Sequence, residues 1–163
     1  MKNILIPSDF SIKSLNCIDD LLCTFRNEQL NILLVHTFIM PDSISEIMSL
    51  TSRRKKCNFI SPEFWNRCTQ LEYENAQINS IRFECVYGST VAVFKQFLEG
   101  QHIDLVAYPQ QYQFRKLSEW SFDPARLISK SGIEVKMITT IKLEKETGLV
   151  SRKEHLIYSL PQN

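Results

Sequence analysis

The sequence predicts an α/β fold, a three-layer, doubly wound sheet of five parallel strands carried by residues 1–141. Three observations predict it. Short apolar runs of strand length alternate along the chain with segments whose apolar residues recur every three to four positions. Several of those runs are apolar on both faces, as parallel strands covered by helices must be. Their junctions carry Pro, Gly, Ser and Asp, which stop strands and start helices. Strict strand–helix alternation argues for a parallel sheet, because parallel neighbours are joined by crossover helices.

Each element follows in order. Asn3-Ile4-Leu5-Ile6-Pro7 is a buried strand halted by proline. Ser8, Asp9 and Ser11 supply turn and N-cap chemistry. Leu15, Ile18, Leu22 and Phe25 then mark one face of a helix over 12–27. Leu30 to His36 is the second strand. A short helix is expected within 43–51, before the basic run Arg53-Arg54-Lys55-Lys56. Ser61-Pro62 opens the next helix as N-cap and first helical residue, with Phe64, Cys68, Leu71 and Ile78 on its buried face. Ile81 to Val86 is the third strand, and Gly88-Ser89-Thr90 turns it into a helix over 91–100 that Gly100 ends. Ile103 to Tyr108 is the fourth strand. A connection without glycine, 109–122, leads to Asp123-Pro124, the start of a helix that Gly132 stops. Ile133 to Ile141 closes the sheet, and residues 142–163 form a charged C-terminal tail.

Composition excludes several classes. At 163 residues, roughly 68–70% of the unfolded surface can be buried, enough for a core without metal or disulfide staples. A net charge of +1 gives no global pull toward nucleic acid or membrane, and neither is expected as a partner. Five cysteines, at 17, 23, 57, 68 and 85, form no Cys-x-x-Cys pair, which fits neither a zinc site nor a disulfide framework. No apolar stretch reaches membrane-spanning length and no secretory signal is read, so the expected compartment is the cytoplasm. Only four glycines occur where average usage of ~7% gives about 11, which argues against a glycine-rich phosphate loop. No G-x-G-x-x-G follows the first strand, and no Asp ends the third as a receiver domain requires.

Ile4-Leu5-Ile6-Pro7-Ser8-Asp9-Phe10-Ser11 resembles the opening of the universal stress proteins, which run from an apolar strand through proline, an acidic residue and serine into a helix. Leu33-Leu34-Val35-His36 is similar to their second strand. Gly88-Ser89-Thr90 and then Ile103-Asp104-Leu105-Val106 resemble their third helix and fourth strand. The resemblance covers about residues 1–140. It implies the strand order 3-2-1-4-5 of the adenine nucleotide alpha hydrolase-like fold. It also implies a homodimer through the last strand, here Ile133 to Ile141, whose edge has unpaired backbone groups.

Nucleotide-binding members of that family carry G-x2-G-x9-G-[ST] after the fourth strand. On this chain the three glycine positions hold Pro109, Tyr112 and Phe122, and the hydroxyl position holds Asp123. Pro109 has no N–H to give a phosphate. Tyr112 and Phe122 add bulk, and Asp123 puts negative charge at a helix start that would otherwise hold an anion. The expectation is that ATP is not bound in the family's manner and that no cofactor is held. What remains is a vestigial cleft lined by Pro7, Asp9, Thr37, Pro109, Tyr112, Phe122 and Asp123. The resemblance places Asp9 near an adenosine pocket; as plain chemistry it is a turn or capping residue. His36 reads as a hydrogen-bonded strand-end histidine, with no nucleophile set beside it by any motif; His102 and His155 read as surface residues. The aromatic cluster Tyr108, Tyr112, Phe114, Trp120 and Phe122 either fills the vacated pocket or serves an interface or a different, flatter ligand. The function expected is a non-catalytic, stress-related regulatory or interaction module. The alternative is a sensor for a nucleoside or other planar compound, and no enzyme is expected.

Overall fold

The computed structural model describes residues 1–41, 43, 45, 48 and 59–139. Its elements are β1 (Lys2–Pro7), a 3-10 turn (Ile12–Cys17), α1 (Ile18–Thr24), β2 (Leu30–Phe38), α2 (Pro62–Glu74), β3 (Ile78–Tyr87), α3 (Val91–Gly100), β4 (Leu105–Pro109), α4 (Ala125–Ser131) and β5 (Glu134–Ile138). The five strands form one sheet in the order β3-β2-β1-β4-β5, and every pairing is parallel. That is the expected architecture and strand order.

Strand alternation divides the core into two layers. Ile4 and Ile6 of β1, Ile32 and Leu34 of β2, and Leu105 and Ala107 of β4 face α1 and α2, meeting Ile18, Leu21, Phe64 and Leu71. Leu5, Leu33, Val35 and Val106 face α3 and α4, meeting Phe94, Leu98, Leu127 and Ile128. Both faces of β1 and β2 are therefore covered. The outer strand β5 differs, because Glu134 through Met137 are exposed and only Ile138 is buried.

Several element boundaries depart from the sequence reading, each for a local reason. The 12–27 helix begins as a 3-10 turn, and α proper covers only 18–24. Ser14 Oγ and the Ser14 N–H both donate to the Ser11 carbonyl, which holds the chain in the tighter register. Ile78 does not continue α2; it starts β3. Asn75 ends the helix by giving both its N–H and its side-chain amide to the Leu71 carbonyl. Gly100 is the last residue of α3, and the left-handed residue beyond it is His102 (φ 53°). Gly132 (φ 78°) does end α4 as read. β5 starts at Glu134, one residue later than read. Of the expected helix within 43–51 all but residues 43, 45 and 48 lies outside the described residues, as do the basic run 53–56, Cys57, the end of the last strand at 140–141, His155 and the tail 142–163.

The amino ends of the strands are joined by an amide relay. Asn31 Nδ2 donates to Asn3 Oδ1 at 2.8 Å, and Asn31 Oδ1 accepts from Asn79 Nδ2 at 2.7 Å and Ser80 Oγ at 3.0 Å. The Asn3 N–H donates to Asp104 at 2.8 Å, and Asn3 Nδ2 to the His102 carbonyl at 2.9 Å. Four strands or their leads are thus fixed in register at one end, and the carboxyl ends are left for the site. Among the described residues, no helix is long and apolar enough to cross a membrane.

Candidate functional site

In doubly wound sheets ligands sit at the carboxyl ends of the strands, where neighbouring crossovers diverge. Here that end is covered by the connection after β4. The chain from Gln110 to Asp123 runs back over β1 and β2 and is held at two places.

The first is Asp9, in the turn after β1. The residue is 2% exposed. Its carboxylate accepts the Arg115 N–H at 2.8 Å, the Ser11 N–H at 3.0 Å and the Tyr112 hydroxyl at 2.9 Å. Tyr112 has one proton and spends it on Asp9, so Ser11 Oγ, 2.8 Å away, is the donor to the phenol oxygen. Burial pushes the Asp9 carboxyl up, but the hydrogen bonds from Ser11, the Arg115 N–H and Tyr112 outweigh it and hold the group below its ordinary value. Tyr112 moves the other way, to about 12. Burial is the main cause, and the neighbouring Asp9 charge adds to it.

The turn that presents Asp9 is itself conformationally expensive. Phe10 has φ 52°, the left-handed region that aromatic side chains rarely occupy. Its ring is 3% exposed and lies about 6 Å from those of His36, Phe64 and Phe83, so packing offsets the backbone cost. Ser8 closes the turn by accepting the Phe10 N–H at 3.0 Å and meeting Ser14 Oγ at 2.8 Å.

The second holding point is His36, near the end of β2 and 4% exposed. Nδ1 lies 2.7 Å from the Ser8 carbonyl, which can only accept, so Nδ1 carries the proton. Nε2 lies 2.9 Å from Ser121 Oγ and accepts that hydroxyl's proton. Ser121 Oγ in turn accepts the N–H groups of Leu117 at 3.0 Å and Ser118 at 3.1 Å. Burial pushes the His36 pKa down, against smaller upward effects from the Ser8 carbonyl and the Asp9 charge. Backbone bonds continue the seam: the Ile39 N–H donates to the Trp120 carbonyl, the Phe122 N–H to the Thr37 carbonyl, and Thr37 Oγ1 to the Phe122 carbonyl at 2.6 Å.

All seven residues read from the sequence as a vestigial cleft fall at this end of the sheet. Pro7 is the buried end of β1, paired with Val35. Pro109 ends β4, opposite Ile138 of β5. Thr37 and Phe122 are bonded to each other, and Tyr112 to Asp9. Asp123 accepts the Tyr108 hydroxyl at 2.9 Å and the Ala125 N–H at 2.8 Å, which caps α4 from one residue further out than a regular N-cap. The Tyr108 phenol is pushed well above its ordinary range, first by burial and then by Asp123. The sequence reading placed no nucleophile beside His36; the fold brings Ser121 there across 85 residues. Ser121 and the Arg115 N–H carry no sequence signal, since one is a loop serine and the other a backbone group.

Between the loop and the strand ends lies a cavity of about 410 Å³, bounded by His36, Tyr112, Phe114, Arg115, Ser121 and Phe122 among others. The Ser121–His36 pair has the spacing of a nucleophile and base, yet Ser121 Oγ has its proton on His36 and two N–H groups on its lone pairs. Cys17 and Cys68 are buried, and burial is the main reason their thiols are pushed up to about 12, so both behave as apolar filler. No group of three or more metal-ligating side chains occurs among the described residues.

No protein-family profile matches the sequence, and neither does any curated protein. Solved structures do match in shape. Universal stress protein UspA from Lactobacillus plantarum superposes with a TM-score of 0.52 at 14% identity, over 84% of this chain and 97% of that one. The chain has the universal stress protein fold. The hypothetical protein MJ0577 gives a TM-score of 0.54 at 16% identity, covering 85% of this chain and 95% of that one. The hypothetical protein PH0823 gives 0.54 at 14%, covering 86% and 96%. At these identities the likeness is one of fold.

Proposed function

We propose that the chain is a universal-stress-protein-like regulatory or interaction module that is non-catalytic and does not hold ATP in that family's manner. The observation that carries this reading is the loop 110–123 lying across the strand ends, with Tyr112 bonded to Asp9 and Ser121 to His36. Tyr112 and Phe122 stand where the family's motif has glycine, and both are tied to the strand ends, Tyr112 to Asp9 and Phe122 to Thr37. The saturated Ser121 hydroxyl supports the non-catalytic part. Its lone pairs are engaged by backbone donors rather than free for attack.

A homodimer through β5 belongs to the same reading. Among the described residues β5 pairs with β4 alone, and its Val135 and Met137 are 40% and 47% exposed. An open strand edge with apolar side chains is suited to pairing with a second copy. A cytoplasmic setting, without nucleic acid or membrane partners, completes it.

A second reading has one observation in its favour. The cavity of about 410 Å³, with rings from Tyr112, Phe114 and Phe122, is of a size and chemistry that fits a nucleoside or other small planar compound. One experiment separates the two. Thermal unfolding is followed with ATP, AMP and adenosine, each with and without magnesium. Ligand at 100 times its dissociation constant stabilises a fold by ~2.7 kcal/mol, a shift of a few degrees at this size. No shift with any of the three is expected for the interaction module. A shift with adenosine alone favours the sensor, and a shift with ATP overturns the main reading.

A further inference from the structure

We infer that the loop over the strand ends is a two-stage proton-operated cover, in which His36 releases residues 117–122 at mildly acidic pH while Asp9 still holds residues 112–115.

Neutral His36 gives Nδ1–H to the Ser8 carbonyl and takes the Ser121 proton on Nε2. Ser121 Oγ has two lone pairs and fills both with the N–H groups of Leu117 and Ser118. The junction has no spare acceptor. When His36 gains a proton, Nε2 becomes a third donor aimed at an oxygen that can accept only two. Either one backbone N–H loses its partner inside a buried site or the Ser121 segment moves away. Stranding a buried donor is costly, so movement is the favoured outcome. The segment that moves would keep its other ties to β2, which are one hydrogen bond from Ile39 to Trp120, two between Thr37 and Phe122, and the packing of Trp120 against Phe38 and Tyr87.

The charged groups facing His36 come from several elements. Asp9, in the turn after β1, favours the imidazolium. Arg115 and Lys116 bring positive charge and Asp123 negative charge to the loop lining the cavity that His36 borders. β3 presents the Cys85 thiol at the register position beside His36. β2 presents the Phe38 ring 4.7 Å away. The Phe10 ring, from the turn, separates His36 from the Phe64 ring of α2. His36 also borders the cavity, which gives a proton a way in.

The Asp9 junction responds in a different pH range. Its carboxylate is held below the ordinary carboxylate value and stays charged throughout the histidine range. Tyr112 and the Arg115 N–H therefore stay in place when 117–122 lets go. The size of the effect has a ceiling. If only the open form takes the proton, each pH unit below ~6.5 raises the open-to-closed ratio up to tenfold, or up to ~30-fold at pH 5.0.

The test uses the full chain and amide hydrogen exchange, expressed as protection factors at pH 7.5 and 5.0. Ser118 protection should fall by up to ~30-fold relative to Leu34 in the core, and Arg115 protection should not. A Trp65→Phe variant leaves Trp120 as the single tryptophan, and its fluorescence should change over the same range. His36→Gln keeps an acceptor for Ser121 but cannot titrate in this range, and both changes should vanish in it. If that variant fails to fold, the His36 ring resonances of the unaltered chain should titrate with the Trp120 midpoint. The inference is overturned if Ser118 and Leu34 lose protection in step, if Arg115 opens together with Ser118, or if the transition persists in His36→Gln.

Discussion

The two ends of the sheet are closed by different chemistry. At the amino end, side chains of the strands themselves reach across to their neighbours. Asn3, Asn31 and Asn79 form a chain of neutral amides whose donors and acceptors do not change between pH 4 and 10. At the carboxyl end, a loop from more than 70 residues further along the chain is fastened to β1 and β2 through a carboxylate and an imidazole, both almost fully buried. The amide chain at the amino end takes up no protons, and the Asp104 carboxylate stands at its edge. The carboxyl end depends on protonation state at two buried points. The end where this fold class places its ligands is therefore also the end most easily perturbed. A hollow of about 540 Å³ near the amino end is larger, but the charged residues that line it, Lys95, Glu99 and Asp104, are exposed rather than buried.

The largest break in the comparison should come from Asp9→Ala. It strands the Arg115 and Ser11 N–H groups and the Tyr112 hydroxyl, and hydrogen bonds to a charged partner contribute roughly 1.5–3 kcal/mol each. With partial access of water to the vacated space, we expect a loss of about 3 kcal/mol in urea-induced unfolding. Next is Ser121→Ala, which leaves Leu117, Ser118 and His36 Nε2 unpartnered. It should cost about 2 kcal/mol, read by the same unfolding assay.

pH dependence sharpens the contrast. The folded His36 pKa lies below its unfolded value of ~6.5, so below that pH the unfolded chain binds the proton that the folded chain resists. Stability from this group is complete above ~6.5 and is lost as the pH falls toward the folded value. Between pH 7.5 and 5.5 the loss should reach at most about 1.4 kcal/mol, and His36→Gln should flatten the slope. Asp9, also depressed, should weaken the fold only below ~3.9. The smallest effect is expected at the other end. Asn31→Ala removes the centre of a partly exposed relay where water can substitute, so about 1 kcal/mol should be lost, with the pH slope unchanged. A changed slope in that variant would mean that the two ends are coupled.

The fold was legible because its signals are periodic and repeated. Buried apolar runs at Ile4–Ile6 and Leu33–Val35 and helical spacing at Phe64, Cys68 and Leu71 each identify an element without tertiary help. Boundaries were less so. Ile78 has the right spacing to extend α2, and only the Asn75 cap moves it into β3. The 3-10 start before α1 arises from the bond of the Ser14 hydroxyl to the Ser11 carbonyl and its contact with the Ser8 hydroxyl, which have no pattern in sequence. At the site, Pro7, Asp9, Thr37, Pro109, Tyr112, Phe122 and Asp123 could all be assigned to one end of the sheet, because alignment to a strand–loop–helix frame fixes where loop residues fall. What could not be read was their bonding. The Asp9–Arg115 contact uses a backbone N–H that any residue but proline could supply, and Ser121 reaches His36 through the path of a glycine-free loop. The absence of glycine from this loop was visible in the sequence, but the bonding of the residues that stand there was not.

The account stands or falls on whether loop 110–123 is closed over the strand ends in solution. Amide exchange at pH 7.5 tests this most directly, with Arg115 and Ser118 read beside Asn3 and Asp104. The account predicts that all four are protected well above an unstructured chain, since their N–H groups go to Asp9, Ser121, Asp104 and the Asn3 carbonyl. Protected Asn3 and Asp104 with Arg115 and Ser118 exchanging at the rate of an open chain would contradict it, and would leave the cleft accessible.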